Sequence, residues 1–302
     1  MNKKQKAASQ AIEPVFILCP GRSFSSVVCS MLGQHPHLFG LPELNLFLFE
    51  TIGELLDMST PPFGLAHLRA GVLRTLAYLH TEQQTEEAVE EARAWLEARR
   101  HWSTSELFLY LQDLVAPRRC IDKSPTNVAK PESLARLAET FPSARYLHLA
   151  RHPRATCRSR QAALSKHKRL GVDASVHEFY WASCHAMILE FSRHIEPWQY
   201  IYLKGEDLLE NPDPHLLKLA KWLGVSTSKR AIAAMKQPER SPFATPGPAN
   251  ARAGNNSGFM SNPSLRVGKV AAETLEGPLE WRDDGKGFSP HSIALAHRLG
   301  YQ

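Results

Sequence analysis

The chain has few cysteines and no cysteine pattern. Its five cysteines are scattered through 302 residues, and no two have Cys-x-x-Cys spacing. This distribution argues against the disulfide framework of a small secreted domain and lacks the ligand spacing of a zinc site. It is typical of a protein from a reducing compartment. We therefore expect a cytoplasmic protein that uses no metal ion.

Long apolar runs are also missing. No stretch approaches the roughly 18 apolar residues of a membrane-spanning helix, so we expect no membrane span. Lys3, Lys4 and Lys6 resemble the start of a signal peptide. The apolar run that follows, residues 15–19, is too short for the core of such a peptide. We interpret residues 1–13 as a disordered lead.

No dense basic run is present either. The 36 lysines and arginines against 30 acidic residues leave a net charge of +6. This balance is spread along the chain without interleaved aromatic residues, so we expect no nucleic-acid partner. A mild positive charge suits a small anionic ligand. No feature of the sequence specifies an oligomeric state.

What is present is an alternation of short apolar runs and helical patterns. The predicted strands are residues 15–19, 119–121, 145–150 and 200–203. Helical patterns cover residues 25–32, 47–56, 107–115, 176–195 and 215–223, and Ser103 with Glu106 has the form of a capping box. This order predicts an α/β fold, a P-loop-like three-layer sandwich with a central parallel sheet and helices on both faces.

We expect one domain, residues 14–302, in which two further segments are added to the strands and helices of the α/β fold. Residues 60–102 are read as a helical insertion. Residues 237–265 are rich in proline, glycine, asparagine and serine, and we interpret them as a lid loop over the site. Together these two segments are expected to shape a substrate pocket.

Three cations follow predicted strands: Arg22, Lys123 and Arg151. Parallel strands bring their carboxyl ends to one edge of a sheet, where open α/β folds bind ligands. Arg22 lies between a strand and a helix N-terminus, a place where backbone N–H groups attract anions. Ser159 lies about two helical turns beyond Arg151, so the pair is suited to hold a phosphate group. The edge is therefore predicted to bind an anion.

Two explanations remain open at this point. A P-loop kinase would need the Gly-Lys-Ser/Thr loop, but residues 19–26 contain one glycine and an arginine. Asp122 follows a strand, as a metal-binding aspartate of such an enzyme would. A catalytically silent protein that binds phosphorylated nucleotides would also carry these cations.

The same segments resemble a known family. Pro-Gly-Arg-Ser-Phe-Ser-Ser at residues 20–26 resembles the 5'-phosphosulfate loop of sulfotransferases that use 3'-phosphoadenosine 5'-phosphosulfate (PAPS). Arg151 and Ser159 resemble the 3'-phosphate motif of that family. With residues 35–47, 121–125 and 141–153, the set is similar to sulfotransferase domains of bacterial polyketide and olefin-synthase pathways. The likeness covers about residues 14–225.

The resemblance implies transfer of a sulfuryl group from PAPS to a hydroxyl of a small-molecule or carrier-bound acceptor in natural-product biosynthesis. Glu43 is the expected base, and Arg22 and Lys123 are expected to stabilise charge on the donor. A histidine is the alternative base, although His35 and His37 suit a helix cap and His148 suits the core. The residues expected to bind the donor are Gly21, Arg22, Ser23, Phe24, Ser25, Ser26, Arg151, Ser159 and Arg252.

Three positions depart from the family pattern. Phe24 replaces a loop glycine, and Gly205 replaces a tyrosine that would approach the adenine. The C-terminal Arg-Lys-Gly element is only loosely matched by residues 252–258. Arg252 is expected to bind the donor because of this match. Phe24 and Gly205 keep the silent binder as an alternative, and the kinase-like enzyme stays an alternative because its fold would look similar.

Overall fold

A computed structural model describes residues 13–58, 65–166, 175–268 and 270–302. Its centre is a parallel sheet of five strands. The strands are β1 (Val15–Leu18), β2 (Leu38–Gly40), β3 (Arg119–Asp122), β4 (Arg145–Ala150) and β5 (Tyr200–Lys204). Their order across the sheet is β2-β3-β1-β4-β5, so all five carboxyl ends meet at one edge.

Helices cover both faces of this sheet. They are α1 (Ser25–Leu32), α2 (Ile52–Met58), α3 (His67–Thr81), α4 (Glu86–Glu97), α5 (Thr104–Val115), α6 (Pro131–Thr140), α7 (Pro153–Lys166), α8 (Ser175–Phe191), α9 (Gly205–Glu210), α10 (Pro212–Leu223), α11 (Lys229–Met235), α12 (Ser257–Ser261) and α13 (Pro290–Arg298).

Strand β1 shows why both faces are covered. Val15 and Ile17 belong to the core cluster that includes α1 and α10, whereas Phe16 and Leu18 belong to the cluster of α2–α6. Alternate side chains of a strand point to opposite faces, and here both sets are buried, with all four residues 0% exposed. The predicted three-layer α/β fold is confirmed.

Most predicted elements are present with small shifts at their ends. The helix predicted at residues 25–32 is α1, and the strand predicted at 145–150 is β4. The capping box of Ser103 and Glu106 opens α5, with both hydrogen bonds formed. Each of these elements carries its own local signal, an apolar run or a cap, which explains the agreement.

One predicted helix needed correction, and one strand was missed. The helix expected over residues 47–56 is a short 3-10 turn, Leu46–Leu48, followed by α2 from Ile52. Strand β2 was not predicted, because three residues are too few to show an alternating pattern. This strand matters for the site, since Glu43 lies three residues beyond its end.

Residues 237–265 were predicted as a long loop, but they contain short helical turns at 238–240 and 249–251 as well as α12. The buried guanidinium of Arg74 on α3 holds this segment. It donates to the carbonyl oxygens of Thr245 at 2.8 Å and Ala253 at 3.1 Å, and to the side-chain oxygen of Gln84 at 2.7 Å. The segment is therefore packed against α3.

The N-terminal lead predicted for residues 1–13 lies outside the described residues except for Glu13, and so does the start of the 60–102 insertion, residues 60–64. The rest of that insertion forms α3 and α4. Of the helices in the described ranges, none is long and apolar enough to cross a bilayer.

Candidate active site

The turn between β1 and α1 has an unusual backbone. Arg22 and Phe24 have φ angles of 76° and 64°, a left-handed conformation that residues with a side chain rarely adopt. Phe24 occupies the N-cap position of α1 and provides no side-chain cap. The N–H of Gly21 donates to the Tyr180 hydroxyl at 3.0 Å. The turn is thus fixed from outside, and the helix N-terminus is left to face a ligand.

The predicted cations at this turn come together. Arg22 Nε donates to Ser159 Oγ at 3.0 Å, and Arg151 Nη1 donates to the backbone oxygen of Arg22 at 2.9 Å. These three residues therefore link β1, β4 and α7. With the adjacent Ser23 and Arg160, they form what we call the arginine end of the site. The predicted spacing of Arg151 and Ser159 places both beside the same loop.

Burial lowers the pKa of the Arg22 and Arg151 guanidinium groups. The nearby charges of Glu43 and Glu206 act in the opposite direction on Arg22 and Arg151, respectively. A guanidinium remains charged even so. Cations that have lost water to this extent gain more from an anionic ligand than exposed cations do.

Several hydrogen-bond donors at the arginine end have no protein partner. Within the described part of the chain, Ser23 Oγ, Arg151 Nε and Arg160 Nε are buried and make no hydrogen bond. Arg160 also lies with its guanidinium 3.8 Å from the centre of the Tyr180 ring. Buried polar groups are nearly always satisfied, and these three residues line one cavity, so a ligand bound there would supply the acceptors.

Lys123 and Glu43 form the other end of the site, which we call the lysine end. Lys123 Nζ lies 2.7 Å from Glu43 Oε1 and 3.3 Å from both Ser26 Oγ and the Gly254 carbonyl oxygen. Three acceptors thus match the three N–H bonds of the ammonium group. The Lys123 side chain is 0% exposed and that of Glu43 is 29% exposed, so Glu43 separates the lysine from the cavity.

The backbone of Glu43 is held as closely as its side chain. Its N–H donates to the Gly254 carbonyl at 2.7 Å. A Cβ atom on Gly71 would lie 1.9 Å from the Glu43 carbonyl oxygen, so only glycine permits this approach of α3. Glu43 is therefore positioned by β2, α3 and the 237–265 segment together.

Asp122, the residue that a kinase-like enzyme would use for a metal ion, is buried beneath the lysine end. Its carboxylate accepts hydrogen bonds from Ser124 Oγ at 2.8 Å and Asn127 Nδ2 at 2.6 Å. Burial raises its pKa. These contacts shape the turn that presents Lys123, which gives Asp122 a structural explanation.

A cavity of about 760 Å³ lies over the two ends. Of the predicted residues, Gly21, Arg22, Ser23, Phe24, Ser25, Ser26, Glu43, Arg151 and Ser159 line it. Lys123 lies behind its wall. The further lining residues that the sequence did not reveal include Arg160, Tyr180, Leu209, Asn255, Asn256 and Arg266.

Arg252 is the predicted donor-binding residue that does not reach this cavity. Arg252 is exposed, and its segment instead contributes Asn255 and Asn256 to the cavity lining. The N–H of Asn256 donates to Ser26 Oγ at 3.0 Å. The cation that reaches the cavity from this part of the chain is Arg266. The sequence signal for Arg266 is an Arg-x-Gly pattern, in which Gly268 follows the arginine by two residues.

The histidines do not compete with Glu43 for the cavity, since no histidine is among the described residues that line it. His35 Nε2 lies 2.9 Å from the Ser226 carbonyl oxygen, and His148 pairs with His185 and Tyr200 in the core. His148 is 0% exposed. Both are explained by their structural contacts.

All five cysteines are buried and unpaired. The described residues contain no cluster of three histidine, cysteine or carboxylate side chains placed to hold a metal ion.

The comparisons with known proteins agree with this geometry. Residues 14–229 match the model of the Sulfotransferase family. The sulfotransferase domain from the curacin biosynthetic pathway is 25% identical, with 97% of this chain and 99% of that chain aligned and a TM-score of 0.80. The sulfotransferase domain from the Synechococcus PCC 7002 olefin synthase is also 25% identical, over 97% and 98%, with a TM-score of 0.70. No curated protein matches significantly. The chain belongs to the sulfotransferase family.

Proposed function

We propose that this chain moves a sulfuryl group from PAPS to a hydroxyl of a small-molecule or carrier-bound acceptor and releases adenosine 3',5'-bisphosphate. The observation that carries the proposal is the arginine end. Arg22, Arg151 and Ser159 meet at a helix N-terminus, and Ser23 Oγ and Arg151 Nε are buried without a partner in the described chain. A ligand with phosphate groups would supply the missing acceptors.

In the proposed reaction PAPS is a substrate. The acceptor oxygen bonds to sulfur, the bond from sulfur to the bridging oxygen breaks, and the acceptor proton moves to Glu43. Arg22 and the N–H groups of residues 23–26 are suited to stabilise the negative charge that develops on the 5'-phosphate. Arg151 and Ser159 are suited to hold the 3'-phosphate, with Arg266 in place of Arg252.

For Lys123 we propose a different role from the one expected from the sequence. Direct contact with the donor would require the ammonium group to give up one of its three present acceptors, because its three N–H bonds are already matched. We propose that it orients the Glu43 carboxylate and the Ser26 hydroxyl. Ser26 Oγ accepts from Lys123 and from the Asn256 N–H, so its own proton remains for the ligand.

The names of the two solved relatives support a natural-product acceptor, since one domain is from the curacin biosynthetic pathway and the other from an olefin synthase. The cavity adds apolar contacts from Phe24, Val27, Leu209 and Phe259 to its polar groups. This mixture suits a nucleotide donor beside a partly apolar alcohol.

The test is calorimetric titration with adenosine 3',5'-bisphosphate, with ADP and adenosine 5'-phosphate as controls. We expect the bisphosphate to bind most tightly. Arg151→Ala should weaken its binding by about 10- to 150-fold, because a charged hydrogen bond contributes about 1.5–3 kcal/mol. Binding of adenosine 5'-phosphate should change little.

Arg158→Ala is the matched control. Arg158 is on the same helix as Ser159 but is exposed and paired with Glu273, so its loss should leave binding unchanged. A preference for ADP, or no binding at all, would contradict the proposal in favour of a kinase-like enzyme or a binder of other ligands.

A further inference from the structure

The aromatic side chain in the phosphate-facing turn is the feature that the proposed reaction does not yet explain. Phe24 has a left-handed backbone, which costs more for a residue with a Cβ than for glycine. Its ring lines the cavity, and it lies between two groups from neighbouring strand ends, Arg151 and Gly205. A bulky residue in such a conformation needs a compensating contact.

The first contact is with Arg151. The centre of its guanidinium lies 4.3 Å from the centre of the Phe24 ring, well within the range of a cation–π interaction. Arg151 makes one hydrogen bond to the Arg22 backbone, while its Nε has no partner among the described residues. The ring is thus a second restraint on a guanidinium that is otherwise held at one nitrogen.

The second contact is with Gly205, the residue directly after β5. A Cβ atom at this position would lie 2.6 Å from Phe24 Cδ2, a distance that real Cβ atoms do not reach. Gly205 is not in the left-handed region of φ. Position 205 is therefore glycine because the Phe24 ring occupies the space of a side chain, whereas its backbone conformation would accept alanine.

We propose that Phe24 is a positioning residue for Arg151, and that Gly205 is glycine because it makes room for the Phe24 ring. The two departures from the family pattern are then one device: the ring restrains the arginine that recognises the 3'-phosphate. This role of Arg151 rests on the proposed function.

The test compares affinities for adenosine 3',5'-bisphosphate and adenosine 5'-phosphate, whose ratio reports the 3'-phosphate contact alone. Phe24→Leu keeps an apolar side chain but removes the aromatic face, and we expect the ratio to fall by roughly 2- to 30-fold. Phe24→Tyr keeps the ring and should preserve the ratio. In the Arg151→Ala background, Phe24→Leu should have no further effect on it.

A double-mutant cycle tests the second half of the proposal. Gly205→Ala should lower the Tm of the ligand-free protein and reduce the ratio, because the new methyl group displaces the ring. In a Phe24→Ala background, which keeps the same backbone strain but removes the ring, Gly205→Ala should cost little. Equal losses of Tm in both backgrounds would overturn the pairing.

The failure of this inference is distinguishable from failure of the proposed function. If the unmodified protein shows no preference for the bisphosphate, the proposed function fails, and the ligand-free Tm cycle still decides whether Phe24 and Gly205 are paired. If the preference is present but Phe24→Leu leaves it unchanged, the positioning role is wrong and the function stands.

Discussion

The arginine end and the lysine end of the cavity come from the same edge of the same sheet, yet their polar groups are satisfied in opposite ways. At the arginine end, Ser23 Oγ and Arg151 Nε are buried without partners in the described part of the chain. At the lysine end, every N–H bond of Lys123 has an acceptor within the protein. At the arginine end a ligand would supply the missing hydrogen-bond acceptors. At the lysine end the contacts are already formed within the protein before any ligand binds.

Under the proposed function, this difference separates binding of the nucleotide from the chemical step. Substitutions at the arginine end should act on affinity for the nucleotide, and substitutions at the lysine end should act on turnover. The segment from residue 237 to 265 belongs to the lysine end, because Gly254 and Asn256 bond directly to Lys123, Glu43 and Ser26.

The largest effect should come from Glu43→Gln. Glutamine keeps the size of the side chain but cannot take up the acceptor proton, and the loss of a general base lowers turnover by about 10²- to 10⁴-fold. The assay is transfer of labelled sulfate from PAPS to a panel of a hydroxyacyl pantetheine thioester, an aliphatic alcohol and a monosaccharide. Affinity for adenosine 3',5'-bisphosphate should stay within a few-fold.

Glu91→Gln, an exposed position on α4, is the matched control and should retain full turnover. An equal loss of nucleotide affinity and turnover in Glu43→Gln would show that the two ends do not act separately. The absence of turnover in the unmodified protein with every acceptor in the panel would instead favour a silent binder.

A smaller effect is expected from Arg74→Met, which releases the 237–265 segment. The change removes the hydrogen bonds that the buried guanidinium donates to the carbonyl oxygens of Thr245 and Ala253 and to Gln84, and the free energy of unfolding should fall by about 3 kcal/mol. Urea denaturation measures this loss. Turnover should fall with it, because the segment carries Gly254.

Arg193→Met is the control for this prediction, since Arg193 forms an exposed ion pair with Glu190 in the last turn of α8. Exposed pairs contribute less than about 1 kcal/mol. If Arg74→Met lowered nucleotide affinity and left turnover intact, the assignment of the segment to the lysine end would be wrong.

The smallest effect concerns the core behind the arginine end. Burial lowers the pKa of His148 on β4 to about 3, whereas a histidine in the unfolded chain has a pKa of about 6.5. Between these values the unfolded state binds the proton and the folded state does not. Stability is therefore lost as the pH falls, by about 2 kcal/mol from pH 7 to pH 5.

His148→Gln should remove that part of the pH dependence in urea denaturation at the two pH values. Tyr200→Phe removes a hydrogen-bond partner of His148 but leaves the histidine in place, so it should keep the dependence. Parallel behaviour of His148→Gln and the unmodified protein would show that other groups control the acid response.

Sequence patterns predicted the framework well wherever a short segment carried its own signal. Strand β4 was visible as an apolar run, and α5 was visible through its Ser103–Glu106 capping box. The three cations followed strands, and parallel strands place such residues together. Strand β2 carried no such signal, so the support it gives to Glu43 was not evident.

The sequence by itself determined the α/β class, the cations at the strand ends and membership of the family, because these depend on local patterns and on motif order. Only the tertiary structure decided that Lys123 pairs with Glu43, that Arg266 rather than Arg252 faces the cavity, and that Phe24 fits over Gly205. Glu43 and Lys123 are 80 residues apart in the chain. Contacts over such separations depend on strand order, register and the space between side chains, which no local pattern records.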